Sequence, residues 1–143
     1  MGREVILKHD PDVVMAKAST ARRCMEAIRR VRAASPPLEE WMAEDLTVLN
    51  LQRAIQACLD LANHLIASNQ WELPRSAANS MEILAGHGLL SPKLLSSAIS
   101  MAGFRNIAVH DYAALAPAII RAIVDKHLPD LDAFLATLIA RLG

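Results

Sequence analysis

Apolar positions recur at intervals of three and four residues along most of the chain, the spacing that gives a helix one buried face. Asp10-Pro11 reads as a cap followed by proline in the first turn, and the pattern predicts a helix from there to about Ala34, where Ser35-Pro36-Pro37 stops it. Ala21, Cys24, Ile28 and Val31 share its inner side, and Arg22, Arg23, Arg29 and Arg30 share an arc on the other, with Glu26 among them. A second helix is predicted over about Leu38 to Ala67, with Leu51, Ile55, Leu59, Ala62 and Ile66 as its buried stripe and Trp41 near its start. A third fits from Pro74 or Arg75 to about Ala85, closed by Gly86-His87-Gly88. Ser91-Pro92 opens a fourth, with Leu94, Leu95, Ile99 and Met101 apolar. The last begins between Ala114 and Pro117 and extends toward Leu142, with a kink or short break expected at Lys126 to Leu128 because Pro129 follows. The segment before Asp10 is ambiguous and can be extended.

Short β-branched runs and an aromatic content of 3% fit the same picture. The expected fold is all-α, a compact antiparallel bundle of four or five helices forming a single domain over 1–143. Although 53% of residues are hydrophobic, no apolar run approaches the roughly 18–20 residues of a membrane span. The first residues, Met1 to Lys8, are too few and too charged for a secretory signal. The expectation is a cytoplasmic protein that makes no use of the membrane.

Lys plus Arg and Asp plus Glu number 15 each, so the formal net charge is zero. A protein gripping long nucleic acid is usually more basic than this. The arginine arc on the first helix is a local excess of charge, which fits a solvated face better than a contact with RNA or a partner. Glu39, Glu40, Glu44 and Asp45 crowd the start of the second helix, where the dipole favours carboxylates. They lack partners at metal-ligand spacing and read as capping and surface charge, so no metal site is expected. Cys24 and Cys58 read as two reduced helix cysteines.

Chemistry concentrates in Gly103-Phe104-Arg105-Asn106-Ile107-Ala108-Val109-His110-Asp111-Tyr112. If this stretch is helical, then taking Arg105 as zero, Asn106 falls at about 100°, His110 at about 140° and Tyr112 at about −20°. The four side chains then share one polar arc, with Ile107 and Ala108 directed toward a core. Arginine offers a permanent fork for phosphate oxygens, and histidine exchanges a proton near neutral pH. Together they suit metal-independent RNA cleavage: His110 takes the ribose 2′-hydroxyl proton, Arg105 stabilises charge on the phosphate, and Asn106 holds the imidazole or the sugar. A leaving-group acid is still needed, and one chain offers no obvious candidate besides Tyr112, which makes a two-fold pairing of such faces attractive. The alternative is a set of surface or structural hydrogen-bonding groups. Arg–His pairs at similar spacing recur at Arg3 to His9 and Arg121 to His127, so spacing alone does not decide. His64 and His87 have no nucleophile or ligand partner nearby and read as helix-surface or helix-end groups. Trp41, Trp71, Phe104, Phe134 and Tyr112 are the only aromatic side chains available for stacking on bases.

Phe-Arg-Asn-x-x-Val-His-x-Tyr, preceded by Met101-Ala102-Gly103, resembles the signature of the HepT-like toxins of the HEPN superfamily: Arg, four residues, His, one residue, Tyr. Arg105, His110 and Tyr112 match it without a gap, and Asn106 matches the polar residue that commonly follows the arginine. Leu51 to His64 resembles the long second helix of that family. The Pro74 region, Leu84 with Gly88-Leu89-Leu90, and Leu128 to Leu131 follow in the family's order, so the likeness covers the chain from Leu46 onward. The resemblance implies a homodimeric RNase toxin without a cofactor, its two active faces meeting at the subunit interface. It also implies a partner, a minimal nucleotidyltransferase antitoxin of the MntA type that transfers AMP to Tyr112 and so blocks the cleft. A different class of function fits the zero net charge: a non-catalytic helical binding partner of such a transferase.

Overall fold

The computed structural model describes residues 7–110 and 116–142, with 109 and 110 described by their backbone only. The described residues form five α-helices: α1 (Pro11–Ala33), α2 (Glu40–Ser68), α3 (Ala77–Gly86), α4 (Pro92–His110) and α5 (Pro117–Ile139). Their order and approximate limits follow the apolar pattern, and no strand occurs among the described residues. The all-α antiparallel bundle is therefore the fold.

Local chemistry sets the starts of several helices. The Asp10 carboxylate accepts the Asp12 N–H at 2.9 Å, and Pro11 occupies the first turn, where its missing N–H costs nothing. Ser76 caps α3 by accepting the Asn79 N–H, which starts that helix at Ala77 rather than at Pro74 or Arg75. Ser91 accepts the Leu94 N–H and opens α4 in the same way. Glu39 departs from the expected capping role: its side chain makes no cap bond and instead accepts the Trp41 indole N–H at 2.7 Å. Trp41 is 60% exposed, so it lies outside the buried stripe.

Two helices end in the same device. At the end of α3 the Leu89 N–H reaches Leu84 O and the Gly88 N–H reaches Ala85 O, with Gly88 at φ 80. At the end of α2 the Trp71 N–H reaches Ile66 O and the Gln70 N–H reaches Ala67 O, with Gln70 in the left-handed region at φ 56. Glycine takes that position without cost, whereas a side chain there is unusual. The sequence places the end of α2 near Ala67, close to the observed Ser68, but does not show this device, because no glycine marks it.

Helix α5 runs through Pro129 as one helix, so of the kink or short break expected at Lys126 to Leu128 the break does not occur. Proline in a helix interior costs about 3 kcal/mol, but Leu128, Leu131, Phe134 and Leu135 are all buried around it. Each such side chain contributes about 1.5–3 kcal/mol on full burial, so packing outweighs the lost hydrogen bond.

Helix α2 is the axis of the bundle and touches each of the other four helices. Its Leu51, Ile55, Leu59, Ala62 and Ile66 are buried as expected, within a core that draws on all five helices. Val31 is only half-buried, at the edge of the α1 stripe. Residues 7–10 form an extended strap over the end of α2. There Lys8 and Asn69 exchange two hydrogen bonds, and the Asp10 N–H donates to His64 Nε2 at 2.9 Å. His64 is thus a half-buried group on the helix surface. Cys24 and Cys58 are unpaired and buried.

Candidate functional site

Helix α4 carries the candidate residues. Phe104 and Ala108 are buried and bind it to the core, which leaves Arg105 at the edge of the core and turns Asn106 outward. Ile107 does not join the core as expected; it is 46% exposed. At about 200° around the helix from Arg105 it lies well off the direction shared by Met101, Phe104 and Ala108. Asn106 is exposed. The backbone of α4 continues without a break to His110, about 7.5 Å along the axis from Arg105. The His110 side chain and the whole of Tyr112 lie outside the described residues.

Arg105 is half-buried and points toward α2, where Nη1 donates to Gln56 Oε1 at 3.0 Å. The Gln56 amide nitrogen donates in turn to Asp60 Oδ1 at 2.9 Å, and Lys17 of α1 donates to Asp60 Oδ2 at 2.9 Å. A polar chain thus runs Lys17, Asp60, Gln56, Arg105 across three helices. It fixes the orientation of the Gln56 amide, because its oxygen faces a donor and its nitrogen faces an acceptor. Gln56 and Asp60 are one turn apart on α2, which lets both groups address the same side.

Among the described residues, Arg105 has no carboxylate partner, and its Nε is buried without an acceptor. A half-buried guanidinium held by a neutral amide keeps its charge available for an anion. That is the electrostatic arrangement a phosphate-binding arginine requires. No group of three His, Cys, Asp or Glu side chains among the described residues could hold a metal ion.

Beside Arg105 lies a groove of about 600 Å³ between α2, α3 and the loop that joins them. Gln56, Asn63, Trp71, Arg75 and Ser80 line it with Arg105. The Ser80 hydroxyl donates to Asn63 Oδ1 at 2.6 Å. Gln56 and the groove were missed in sequence. The spacing of Gln56 and Asp60 on one face was visible, but only packing shows that this face meets α4.

The other histidines stand apart from this site. His87 caps the end of α3 as expected, yet it does have a partner: Nε2 pairs with Glu72 Oε1 at 3.0 Å. Hydrogen bonding to the imidazole lowers the Glu72 pKa. His127 is buried in α5, with Nδ1 3.4 Å from Asp130 Oδ2, outside hydrogen-bond geometry. Burial lowers the His127 pKa, and Asp130 opposes the shift only in part. On α1, Arg29 pairs with Asp132 of α5 at 2.6 Å, Arg30 with Glu26 at 3.3 Å, and Arg32 with Asp125 of α5. Half of the predicted arginine arc thus spends its charge within the protein, and Arg22 and Arg23 stay exposed.

Comparison with known proteins supplies the family. The model of a family described as ribonuclease HepT-like matches residues 20–138, reaching upstream of Leu46 into α1. The mRNA nuclease HepT of Shewanella oneidensis is 36% identical over 125 residues, covering 87% of this chain and 94% of that protein. A solved structure of tri-AMPylated Shewanella oneidensis HEPN toxin in complex with MNT antitoxin is similar with a TM-score of 0.83 at 34% identity, covering 92% of this chain and 99% of that one. The Bacillus subtilis cytosolic protein YutE, of unknown function, has a TM-score of 0.80 at 15% identity over 96% of this chain and 93% of its own, which speaks to the fold alone. With the family's model spanning most of the chain and a relative this similar over nearly its whole length, the chain belongs to the HepT-like ribonuclease family.

Proposed function

We propose that this chain is a metal-independent endoribonuclease toxin whose site is formed by Arg105, Asn106 and His110 and is silenced by AMP transfer to Tyr112. The observation that carries the reading is the Arg105 guanidinium, held by Gln56 and neutralised by no carboxylate among the described residues. It stands about 1.4 turns before His110 on one continuous helix. In the reaction, His110 accepts the proton of a ribose 2′-hydroxyl, whose oxygen attacks the adjacent phosphorus. The bond to the 5′-oxygen breaks, that oxygen takes a proton, and the products are a 2′,3′-cyclic phosphate and a free 5′-hydroxyl. Arg105 stabilises the negative charge that builds on the non-bridging oxygens. Asn106 holds the imidazole or the sugar. A homodimer that brings two such faces together supplies the second proton-moving group.

Likeness to a protein named as an mRNA nuclease supports RNA as the substrate. The AMPylated toxin solved with its MNT antitoxin supports an MntA-like nucleotidyltransferase as the partner. In that step the Tyr112 hydroxyl oxygen attacks the α-phosphorus of ATP, pyrophosphate leaves, and the tyrosine carries AMP. The added phosphate competes with RNA for Arg105 and fills the cleft. Among the described residues no helix is long and apolar enough to cross a membrane, in keeping with a cytoplasmic toxin. The test pairs growth with intact mass. Expression of the unmodified chain should arrest growth, and His110→Ala should relieve the arrest. Incubation with the transferase and ATP should add AMP to the unmodified chain but not to Tyr112→Phe. Arrest by both chains, or equal AMP addition to both, would overturn the corresponding half of the proposal.

A further inference from the structure

The groove beside Arg105 has an aromatic wall that the cleavage chemistry leaves unused. Trp71 lines that groove. Its ring lies parallel on the His87 imidazole, with centroids 3.9 Å apart and planes 7° from parallel. His87 lies outside the groove, is tied to Glu72 and covers one face of the indole, while Trp71 itself is half-buried, packs against the core and lines the groove. The backbone holds Trp71 there as well. Gln70 adopts φ 56, a conformation side chains rarely take, and the Trp71 N–H closes the end of α2 on Ile66 O at 3.0 Å. An uncommon helix ending and a histidine stacked on the ring and bonded to Glu72 thus both hold the indole in place at the groove.

The remaining aromatics leave few rivals. Phe104 and Phe134 are buried. Trp41 is exposed at the opposite end of the long α2. Among the described residues, Trp71 is therefore the aromatic side chain that shares a groove with Arg105. Arg75 is exposed on the same groove and has no carboxylate partner among the described residues. A volume of about 600 Å³ suits a small organic ligand, and the wall combines an aromatic ring with two arginines and one carboxylate, Glu72, whose Oε1 is engaged by His87. With a formal net charge of zero, the chain has no diffuse positive field to hold a polyanion. Local stacking and a few placed arginines must do that instead.

We infer that this groove seats one unpaired nucleotide of the RNA strand, its base against the part of the Trp71 ring that lines the groove and its backbone phosphate paired with Arg75, so that the strand leads the scissile phosphate to Arg105. The inference rests on the proposed cleavage of RNA at Arg105 and His110. A base inside a duplex has both faces covered by its neighbours and cannot use such a platform, so the groove selects single-stranded segments.

The test reads binding separately from cleavage. The full chain carrying His110→Ala does not cut, and adding Trp41→Phe leaves Trp71 as its one indole, since the chain has 2 tryptophans. Titration with a short single-stranded oligoribonucleotide should quench Trp71 fluorescence, and a duplex of the same sequence should not. Replacing Trp71 with Ala should weaken RNA binding about ten- to hundredfold, with Trp71→Phe retaining most of the affinity. Arg75→Gln should reduce the slope of log affinity against log salt by about 0.7. In the cutting protein, Trp71→Ala should raise KM far more than it lowers kcat. Wild-type RNA affinity in both Trp71→Phe and Trp71→Ala would overturn the inference, as would equal quenching by duplex or by ATP alone. Should Trp71→Ala not fold, Trp71→Leu, Arg75→Gln and the quenching titration carry the test. Cleavage that depends on His110 but is indifferent to Trp71 removes the groove alone. Absence of cleavage by the unmodified chain removes the proposed function, and the titration still reports whether the groove binds RNA.

Discussion

Gln56 Oε1 accepts a hydrogen bond from Arg105 Nη1 at 3.0 Å, while the same amide donates to Asp60 at 2.9 Å. The amide separates a carboxylate from a guanidinium and orients the guanidinium without neutralising it. Gln56→Ala should leave the fold intact, because Gln56 is only half-buried, but free Arg105 to wander. An expected loss of about tenfold or more in kcat/KM follows, since misplacement by about 1 Å can cost 10²-fold. Gln56→Glu should be worse, because a carboxylate there pairs with Arg105 and competes with the substrate phosphate. Steady-state kinetics on a short RNA, with circular dichroism as the fold control, checks both. Full activity in Gln56→Glu would show that the charge of Arg105 is not needed free.

His127 gives a stability signature in mild acid. Burial lowers its pKa from the ordinary 6.5, against the partial opposition of Asp130, while the nearby Lys126 also lowers it. The unfolded chain therefore binds a proton at a higher pH than the folded one. Stability from this group is complete above about pH 6.5 and is lost as pH falls from there toward the lower folded value. The slope cannot exceed about 1.4 kcal/mol per pH unit for one proton. Urea melts between pH 7 and 5 should show a fall in stability that is shallower in His127→Gln. Equal slopes would mean that His127 charges as readily inside the protein as outside it.

Burial pushes the Cys58 thiol up to about 12. Cys24 is raised too, first by burial, with Arg53 and Arg23 pulling it partly back. The thiolate is the reactive form, so Cys58 should resist alkylation in the native protein at pH 8. Mass spectrometry after brief maleimide treatment should find Cys58 unmodified natively and both cysteines modified in denaturant. Rapid native labelling of Cys58 would show that the core opens there.

The α1 arginines test a different balance. Arg29 and Asp132 are each about half exposed, at 47% and 50% of the side chain, and join α1 to α5. Exposed pairs of this kind contribute about 0–1 kcal/mol. Arg29→Ala should therefore lower stability by about 1 kcal/mol or less, with the effect fading in high salt. RNA cleavage should be unchanged. A marked loss of cleavage would assign this face to RNA after all.

The helices and much of the core could be read from the chain because apolar periodicity, Asp10-Pro11 and Ser91-Pro92 are local signals. Trp41 and Ile107 were misplaced because each belongs to an apolar pattern, yet helix packing turns both toward solvent. Pro129 shows the opposite case: a local breaker does not end α5, because Leu128, Leu131 and Phe134 are buried around it. Arg105 and Asn106 stand out as candidates from the sequence of their own helix. Gln56, Trp71 and the groove do not, because they depend on how α2 and its closing turn meet α4. The Trp71–His87 stack joins residues from two loops, and one of them is shaped by Gln70 at positive φ, which no residue preference signals.

The central claim is that Arg105 and His110 cut RNA through groups of the chain itself. Purified protein incubated with total RNA in EDTA, beside His110→Ala and Arg105→Ala prepared identically, tests it most directly. The unmodified chain should cleave, leaving 2′,3′-cyclic phosphate ends, and each variant should lose at least about 10²-fold in rate. Equal cleavage by all three preparations, or cleavage by none, would contradict it and leave a non-catalytic partner of a nucleotidyltransferase as the better account.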